Sequence, residues 1–501
     1  MFPLAEARPM STLNLRFAAA VVAVAQGGFA ELAYDNHRID LGESISQTVL
    51  HGRLTGGGTD DLVVFTHDER ARQMAVYAYG GDTWSRVHLA DVPSDVIFVD
   101  MINLGGRDRL LALRREGIDW IDPETWDPKP WLAAPSMYKV APPDVRELNI
   151  ALDLNDDGLD DIALPGFEGY TVWIQRSDGS LTDPVELAAP PTTRTGFRSS
   201  AYRAREIYRF DFDGDGHGDL AFWNGDGLDV YLGIPYGGFD TEPVAVHVPM
   251  ELSTDDVTMS FGFGAIVDET RSMLYGVDDF NGDGVADIGT STIEVGGLFD
   301  QSTRYDFHFG RREGNATVFD AAPDTRISSA GVQGPLERSD LDGDGRVDFG
   351  MLSFKLGIGK IISVLLTGSV SFNMNFYLMG EGGYAEQPNV QRRVKLRLDL
   401  GSGAVAGNWV SVGDLTGDGV GDLLVQTDAT RVDVYPGTGD SGLFEKRPIE
   451  VAVDLSDRGS VRLADLNGDG RDDMFMTHRL PDSESRRVAV ALSRRTATRA
   501  Q

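Results

Sequence analysis

A nine-residue segment with regularly spaced oxygen-bearing side chains recurs along this chain. Six copies follow the pattern D-x-[DNT]-x-D-G-x-x-D, with side-chain oxygens at positions 1, 3, 5 and 9 and glycine at position 6. Calcium takes about six to eight oxygen ligands, and glycine permits the sharp turn that gathers them around one centre. The copies are residues 153–161, 211–219, 279–287, 340–348, 414–422 and 465–473.

We therefore predict about six calcium sites, in which position 7 contributes its backbone carbonyl oxygen. The predicted ligands are Asp153, Asn155, Asp157, Leu159, Asp161, Asp211, Asp213, Asp215, His217, Asp219, Asp279, Asn281, Asp283, Val285, Asp287, Asp340, Asp342, Asp344, Arg346, Asp348, Asp414, Thr416, Asp418, Val420, Asp422, Asp465, Asn467, Asp469, Arg471 and Asp473.

These segments differ from an EF-hand, which needs a bidentate Glu at position 12 and flanking helices. Position 12 carries no carboxylate in any copy, and the flanking sequences are typical of strands. Magnesium demands a tighter octahedral geometry, so calcium is favoured. The alternative is that some copies are Asp/Gly turns without metal, above all the copy with Thr416 at position 3.

Two degenerate copies precede the six. Residues 53–61 have Arg53 at position 1, and residues 101–109 end in Arg109 where the last Asp should be. We expect no calcium at either.

Each copy lies between short apolar, β-prone segments, and two further strand-like segments follow it. Four strands recurring about every 50 to 70 residues are typical of a propeller blade. Sandwich domains with calcium loops are the alternative, but the even spacing and the absence of linkers favour the propeller. We predict an all-β fold with eight four-stranded blades, or seven, and calcium loops between the first and second strands.

The last unit ends before a fourth strand, whereas residues 29–42 precede the first unit and have no unit of their own. We therefore expect residues 29–42 to complete the final blade and close the ring. Residues 26–501 would then form a single propeller.

The six loops, together with turns such as YLMGEGGYAE (377–386), resemble FG-GAP/VCBS repeat proteins, which share the calcium-loop propeller of integrin α-subunit heads. The resemblance covers roughly residues 46–492. It implies a propeller with calcium at the positions named above. It does not imply a particular function, because propellers host many activities.

Composition excludes several classes of protein. The 501 residues include 45 Lys and Arg, 78 Asp and Glu and no Cys, and the net charge is −33. A strongly acidic surface repels phosphate backbones and anionic membranes, so we expect no nucleic-acid partner. The absence of Cys excludes disulfides, thiolate zinc sites and cysteine nucleophiles.

The N-terminus predicts export. Within residues 10–25, Arg16, a short apolar core and Ala23-Val24-Ala25 have the layout of a secretory signal peptide. A first strand or buried helix is the alternative. We assign residues 1–25 to the signal and expect a secreted or periplasmic monomer without a membrane span. The apolar stretch 361–379 alternates in its second half, which indicates a β-strand.

No catalytic motif of the HExxH, GxSxG or Walker type is present. We therefore favour a binding or adhesion module for an extracellular protein or glycan over an enzyme. The alternative is a lyase-like enzyme acting on polysaccharides, since some lyases use a calcium-bearing eight-bladed propeller. Trp120, Trp126 and Trp131 could stack on sugar rings, but we favour a packing role for them.

Overall fold

The chain folds as an eight-bladed β-propeller, as the sequence predicts. The computed structural model describes residues 32–42, 46–68, 71–195, 200–235, 237–253, 270–297, 300–354, 369–398, 405–406, 410–428, 430–455, 460–477 and 486–494. Within these ranges there is no α-helix, and eight sheets of four or five strands follow one another around the ring. Eight blades, rather than seven, are therefore confirmed.

Neighbouring strands within a blade run antiparallel, in the order first to fourth. Blade 1 comprises Ser46–Gly52, Asp61–His67, Arg72–Tyr79 and Trp84–Asp91; blade 2, Phe98–Leu104, Arg107–Arg114, Gly117–Ile121 and Pro128–Ala133; blade 3, Ala151–Leu152, Asp161–Pro165, Tyr170–Trp173 and Val185–Leu187; blade 4, Tyr208–Phe210, Asp219–Trp223, Gly227–Tyr231 and Val244–His247. Blade 5 comprises Arg271–Asp278, Asp287–Gly297, Asp300–His308 and Thr325–Ala330; blade 6, Val332–Ser339, Asp348–Phe354, Ser369–Tyr377 and Val390–Leu398; blade 7, Val410–Gly413, Asp422–Asp428, Arg431–Tyr435 and Ile449–Ala452; blade 8, Ser460–Ala464, Asp473–Thr477, Arg487–Ser493 and Tyr34–Asp40.

Short additional strands extend two of the blades or form hairpins in the connections between strands. Blade 2 gains Arg146–Glu147, which runs parallel to its first strand, and blade 6 gains Val405–Ala406. Four two-stranded hairpins lie in the connections: Thr192–Thr195 with Ser200–Arg203, Gly233–Ile234 with Gly238–Phe239, Arg311–Glu313 with Ala316–Val318, and Met379–Gly380 with Gly383–Tyr384.

The N-terminal strand closes the ring. Tyr34–Asp40 pairs antiparallel with Arg487–Ser493, in a register that runs from Tyr34 opposite Ser493 to Asp40 opposite Arg487. Blade 8 therefore combines three strands from the end of the chain with one from the beginning. This pairing stabilises the closed ring, because opening the ring between the two ends of the chain would break all the hydrogen bonds between these two strands.

The core is divided among the interfaces between blades. Eight clusters of buried apolar side chains occur, and each joins two neighbouring blades. The cluster that joins the last blade to the first contains Phe475 and Val490 from blade 8 with Val64 and Tyr77 from blade 1. Every blade is therefore covered on both faces, so its second strand is apolar almost throughout, as in Asp161–Pro165.

The stretch that we predicted to be a strand from its alternation forms Ser369–Tyr377. Phe372, Met374 and Phe376 are buried there. The preceding residues 361–368 lie outside the described residues.

A buried carboxylate joins the first strands of blades 2 and 3. Asp100 Oδ2 accepts hydrogen bonds from the backbone N–H groups of Ile150 (2.7 Å) and Ala151 (2.9 Å). Burial raises the pKa of Asp100 from 3.8 to about 7, although these backbone N–H groups oppose the shift.

This carboxylate should make folding stability depend on pH. The folded pKa is higher than the unfolded one, so the folded protein binds more protons between about pH 4 and 7, and its stability falls as pH rises through that window. Asp100→Asn should remove the contribution of Asp100 to this fall. In urea unfolding with chelator present, the stability difference between variant and wild type should shift by as much as about 4 kcal/mol from pH 4 to pH 8 in favour of the variant. Parallel stability curves would contradict this account.

Candidate calcium-binding loops

The six acidic segments form loops on one face of the propeller, each joining the first strand of a blade to the second. In every such blade the residue before position 1 pairs with the Asp at position 9, as Phe210 pairs with Asp219 in blade 4. An antiparallel pair thus closes the base of the loop. Glycine is needed inside it: Gly214 and Gly216 have φ values of 79° and 87°, which disfavour side chains.

Position 2 anchors the loop, a role that the sequence analysis missed. Its side chain is always Leu or Phe in the six intact copies, and it points into the core, as Phe280 does with no exposed surface. The signal was available in the sequence, because an apolar residue recurs there among acidic neighbours. The anchors are Leu154, Phe212, Phe280, Leu341, Leu415 and Leu466.

The carboxylates at positions 1, 3 and 5 turn inward and organise the loop backbone. In blade 4, Asp211 accepts hydrogen bonds from the N–H groups of Gly214 (2.6 Å) and Gly216 (2.9 Å). Asp213 accepts one from Asp215 (3.1 Å). One oxygen from each of the three aspartates lies within 4.8 Å of the others.

Blade 6 repeats this convergence with Asp340, Asp342 and Asp344, again within 4.8 Å. Among the described residues, these two trios are the groups of three acidic or histidine side chains that lie close enough to share a metal ion. Blades 3, 5 and 8 have Asn at position 3, and its side-chain oxygen accepts the N–H of position 5, as in Asn281 with Asp283 (2.9 Å).

The Asp at position 9 lies beneath the loop and is fully buried in all six copies. In blade 4, Asp219 Oδ2 accepts the N–H of Phe212 (2.7 Å) and Oδ1 accepts that of Gly233, which follows the third strand (2.7 Å). The carboxylate therefore ties the loop to two strands. Neither trio of converging carboxylates includes it.

Burial raises the pKa of the position-9 carboxyl in the six intact copies, and the backbone N–H groups only partly offset that shift. The values are about 8 for Asp287, about 7 for Asp161, Asp348 and Asp473, and about 6 for Asp219 and Asp422. Ionising these groups costs free energy in the folded protein, and a nearby cation would reduce that cost.

Two oxygen atoms in the loops have no partner among the described residues. Asp342 Oδ1 in blade 6 and Thr416 Oγ1 in blade 7 are both buried and make no hydrogen bond. Both occupy position 3, where a cation ligand is predicted. A buried oxygen without a partner costs about 1–3 kcal/mol, so these atoms fit a site that is completed by a cation.

The position-7 residues supply more than carbonyl oxygens. The Arg346 guanidinium pairs with the carboxylate of Asp344 at 2.7 Å. In blade 8 the side chain of Arg471 lies against Gly417 of the neighbouring loop. The sequence pattern gives no reason to expect these contacts, because a calcium ligand at position 7 uses only the backbone carbonyl oxygen.

The two degenerate copies differ from the six. In blade 1, Arg53 at position 1 pairs with Asp60 (3.3 Å). In blade 2, the first and second strands are joined by a tight turn at Gly105 and Gly106 instead of a nine-residue loop. Blade 1 nevertheless retains Asp61 at position 9.

A buried tyrosine–glutamate pair lies at the first strand of blade 4. The Tyr208 hydroxyl donates to Glu206 Oε2 (3.2 Å), and Arg338 of blade 6 acts electrostatically on both. Burial, and next the charge of Glu206, raises the pKa of Tyr208 well above its usual range. This tyrosine therefore keeps its proton at neutral pH and is a poor general base.

The three tryptophans of blade 2 pack within the blades. Trp120 has Arg109 4.8 Å and Lys129 5.4 Å from its ring centre. Trp126 stacks on His88, and Trp131 packs against the cluster between blades 2 and 3. Among the described residues, no helix is long and apolar enough to cross a membrane.

The comparisons with known proteins agree with this geometry. The model of the FG-GAP-like repeat family matches residues 153–222 and 414–476, each of which spans an acidic loop and the strand after it. The fold and these loops define an FG-GAP-type β-propeller. The chain contains FG-GAP-like repeats at these two segments, as its resemblance implied.

Several solved structures are similar over most of their length. BBS1N, crystallised in complex with ARL6DN, matches at 11% identity over 93% of this chain and 98% of its own, with a TM-score of 0.33. The biofilm matrix protein Bap1 of V. cholerae matches at 12% over 92% and 88% (TM-score 0.27). A protein from Lactobacillus plantarum matches at 13% over 82% and 97% (0.31). Such distant likenesses carry no argument about function. No curated protein matches this chain.

The buried Asp at position 9 should stabilise the loop without metal, and Asp61 isolates that effect. Its Oδ2 accepts the N–H groups of Leu54 (2.9 Å) and Thr55 (2.6 Å) in a loop that lacks the other acids. Asp61→Ala should cost about 2–4 kcal/mol of unfolding free energy, equally in calcium and in chelator. A loss confined to calcium would show instead that Asp61 acts through a cation.

Proposed function

We propose that this protein is a secreted calcium-binding propeller that acts as a binding module, with calcium in a structural role. The observation that carries the calcium proposal is the convergence of three carboxylates in blades 4 and 6, each trio within 4.8 Å. Three negative charges at such distances repel strongly unless a cation lies between them.

The chain offers an oxygen-rich ligand set for this cation. Positions 1, 3 and 5 would supply side-chain oxygens, position 7 its carbonyl, and position 9 a carboxylate oxygen that also holds the backbone. When bound, calcium would neutralise the loop and hold it closed. Each site would add about 2.7 kcal/mol of stability when free calcium is 100 times its Kd.

Export is the second part of the proposal. The signal-like residues 10–25 lie outside the described residues, so support for export comes from the sequence pattern alone. Structural calcium suits an extracellular setting, where modules with a Kd of about 10⁻⁴–10⁻³ M are filled.

The binding surface that we propose lies on the face opposite the calcium loops. Phe167 is in the turn between the second and third strands of blade 3, and Tyr202 is in the hairpin that leads into blade 4. Their rings meet edge to face with centres 5.2 Å apart, and 44% and 53% of their surfaces are exposed. Exposed aromatic rings on a rigid scaffold are suited to contact sugars or apolar side chains.

We favour binding over catalysis because the sequence carries no HExxH, GxSxG or Walker motif, and the buried Tyr208 offers no general base. A decisive experiment incubates the full chain with a panel of polysaccharides in millimolar calcium and follows both bound protein and new reducing or unsaturated ends. Binding without turnover, abolished by chelator, would support the proposal. New chain ends would overturn it in favour of a lyase or hydrolase, and no glycan response would redirect it to a protein partner.

Thr416→Val tests calcium binding at its weakest loop. Because Thr416 Oγ1 is buried without a partner, its loss should leave the melting temperature in chelator unchanged or higher, while one calcium site becomes weaker. The matched control is Thr55→Val in the degenerate loop, where the hydroxyl donates to Asp61 (2.8 Å). That control should lose stability equally with and without calcium. Unchanged calcium titrations for Thr416→Val would contradict its role as a ligand.

Replacing both Phe167 and Tyr202 by alanine tests the proposed surface. The double variant should bind a glycan identified in the panel roughly tenfold more weakly, with an unchanged melting temperature, because both rings are exposed. Val87→Ala with Leu89→Ala is the control, since these exposed side chains lie on the outer strand of blade 1. Equal weakening by both pairs would reject the assignment.

A further inference from the structure

Position 8 of the repeat makes contacts between blades that the calcium pattern does not explain; in every blade except blade 2 it precedes the buried Asp. It faces the loop of the preceding blade, and its residue type varies around the ring. The eight residues, from blade 1 to blade 8, are Asp60, Asp108, Asp160, Gly218, Ala286, Val347, Gly421 and Asp472.

Asp472 shows the contact between two intact loops. Its Oδ2 accepts the N–H of Asp414, the first residue of the blade 7 loop, at 2.9 Å. Its own N–H donates to the carbonyl of Asp414 at 2.7 Å. The entrance of the blade 7 loop is therefore held to blade 8 by two hydrogen bonds, one of which is strengthened by the charge of the carboxylate.

A position-8 carboxylate accepts a backbone N–H of the preceding blade twice more, at position 1 in blade 1 and at position 3, before the tight turn, in blade 2. Asp108 Oδ2 accepts the N–H of Arg53 in blade 1 at 2.7 Å, and Asp160 Oδ2 accepts that of Asn103 in blade 2, also at 2.7 Å. Asp60, the fourth acid at this position, accepts hydrogen bonds from the side chains of its own blade instead.

The three loops that receive this carboxylate are the three with the poorest ligand sets. Blade 1 has Arg53 at position 1, blade 2 has a tight turn, and blade 7 has Thr416 at position 3. The other five loops all read D-x-[DN]-x-D, and none faces a carboxylate that bonds its entrance in this way. Thus the three blades with the poorest predicted cation ligands have the carboxylate contact, and the other five have neither feature.

Glycine makes room for the contact in blades 1 and 7. A Cβ atom on Gly52 would lie 3.1 Å from Asp108 Oδ2, and one on Gly413 would lie 2.4 Å from Asp472 Oδ2. The five loops that lack the contact have larger residues before position 1. They are Leu152, Phe210, Asp278, Ser339 and Ala464.

We propose that the position-8 carboxylate acts as a clamp: its hydrogen bond holds the preceding loop in place where a bound cation would stabilise that loop only weakly or not at all. Asp108 and Asp160 hold the loops of blades 1 and 2 without metal, and Asp472 is a positioning residue for the calcium site of blade 7. The blade 7 part rests on the proposed calcium binding, whereas the clamps on blades 1 and 2 do not.

The metal-free clamps are tested by thermal unfolding of the full chain. Asp108→Ala and Asp160→Ala should lower the melting temperature by the same amount in EGTA and in calcium. A loss seen only in calcium, or no loss at all, would overturn the clamp on these blades. This test does not depend on whether the wild type binds calcium. If the wild type bound no calcium, the proposed function would fail but these clamps would not.

The blade 7 clamp is tested by calorimetric calcium titration of the full chain. Asp472→Ala should weaken one site about tenfold, the effect of losing one charge-assisted hydrogen bond. Asp160→Ala is the matched control. It removes the same charge from position 8 of a predicted calcium loop, but the loop that Asp160 clamps is the metal-free one of blade 2. The calcium affinities of Asp160→Ala should equal those of the wild type. If both variants weaken calcium binding equally, the effect comes from the lost negative charge and not from the clamp.

Two further variants assign the weakened site to blade 7. Asp465→Ala removes the blade 8 site, and adding Asp472→Ala in that background should still weaken one remaining site. If that effect disappears, Asp472 serves its own loop and the proposal fails. Gly413→Ala blocks the clamp from the blade 7 side while Asp472 stays in place. It should reproduce the weakened site, and normal affinity would also overturn the proposal.

Discussion

The loop face of this propeller depends on a buried carboxylate that accepts backbone N–H groups. The Asp at position 9 begins the second strand, faces the core, and holds the loop on one side and the end of the third strand on the other. Without it, backbone N–H groups such as those of Phe212 in the loop and Gly233 after the third strand would lose their hydrogen-bond partner. The contact also explains why Asp61 persists in a loop that has lost the other acids.

The cost of this arrangement is a set of acids whose pKa values are raised by burial. A carboxyl such as Asp287, with a pKa of about 8, disfavours its charged form at neutral pH. The carboxylates above it add repulsion, so an intact loop concentrates negative charge in a small volume. Calcium would resolve this conflict, whereas blades 1 and 2 avoid it because they carry fewer acids and are held by a neighbouring carboxylate.

The ring gives these loops a rigid base. Each blade buries both faces against its neighbours, and the interface between blades 8 and 1 is as apolar as the others. The closing strand Tyr34–Asp40 makes the first and last blades interdependent. The contacts of Asp472, Asp160 and Asp108 extend this interdependence to the loops at three of the junctions between blades.

The sequence by itself determined the four-stranded repeat and the place of the loops, because a repeated pattern reports local structure in every copy, but it left both eight and seven blades open. It also identified positions 1, 3 and 5 as inward-facing oxygens. Only the tertiary structure decided that Asp219 lies beneath its loop with both oxygens bonded to the backbone, and that Phe280 anchors its loop in the core. The contact of Asp472 with Asp414 was equally invisible, since it joins two blades whose residues are far apart in the chain. Such contacts depend on how the blades meet, and local patterns carry no information about that.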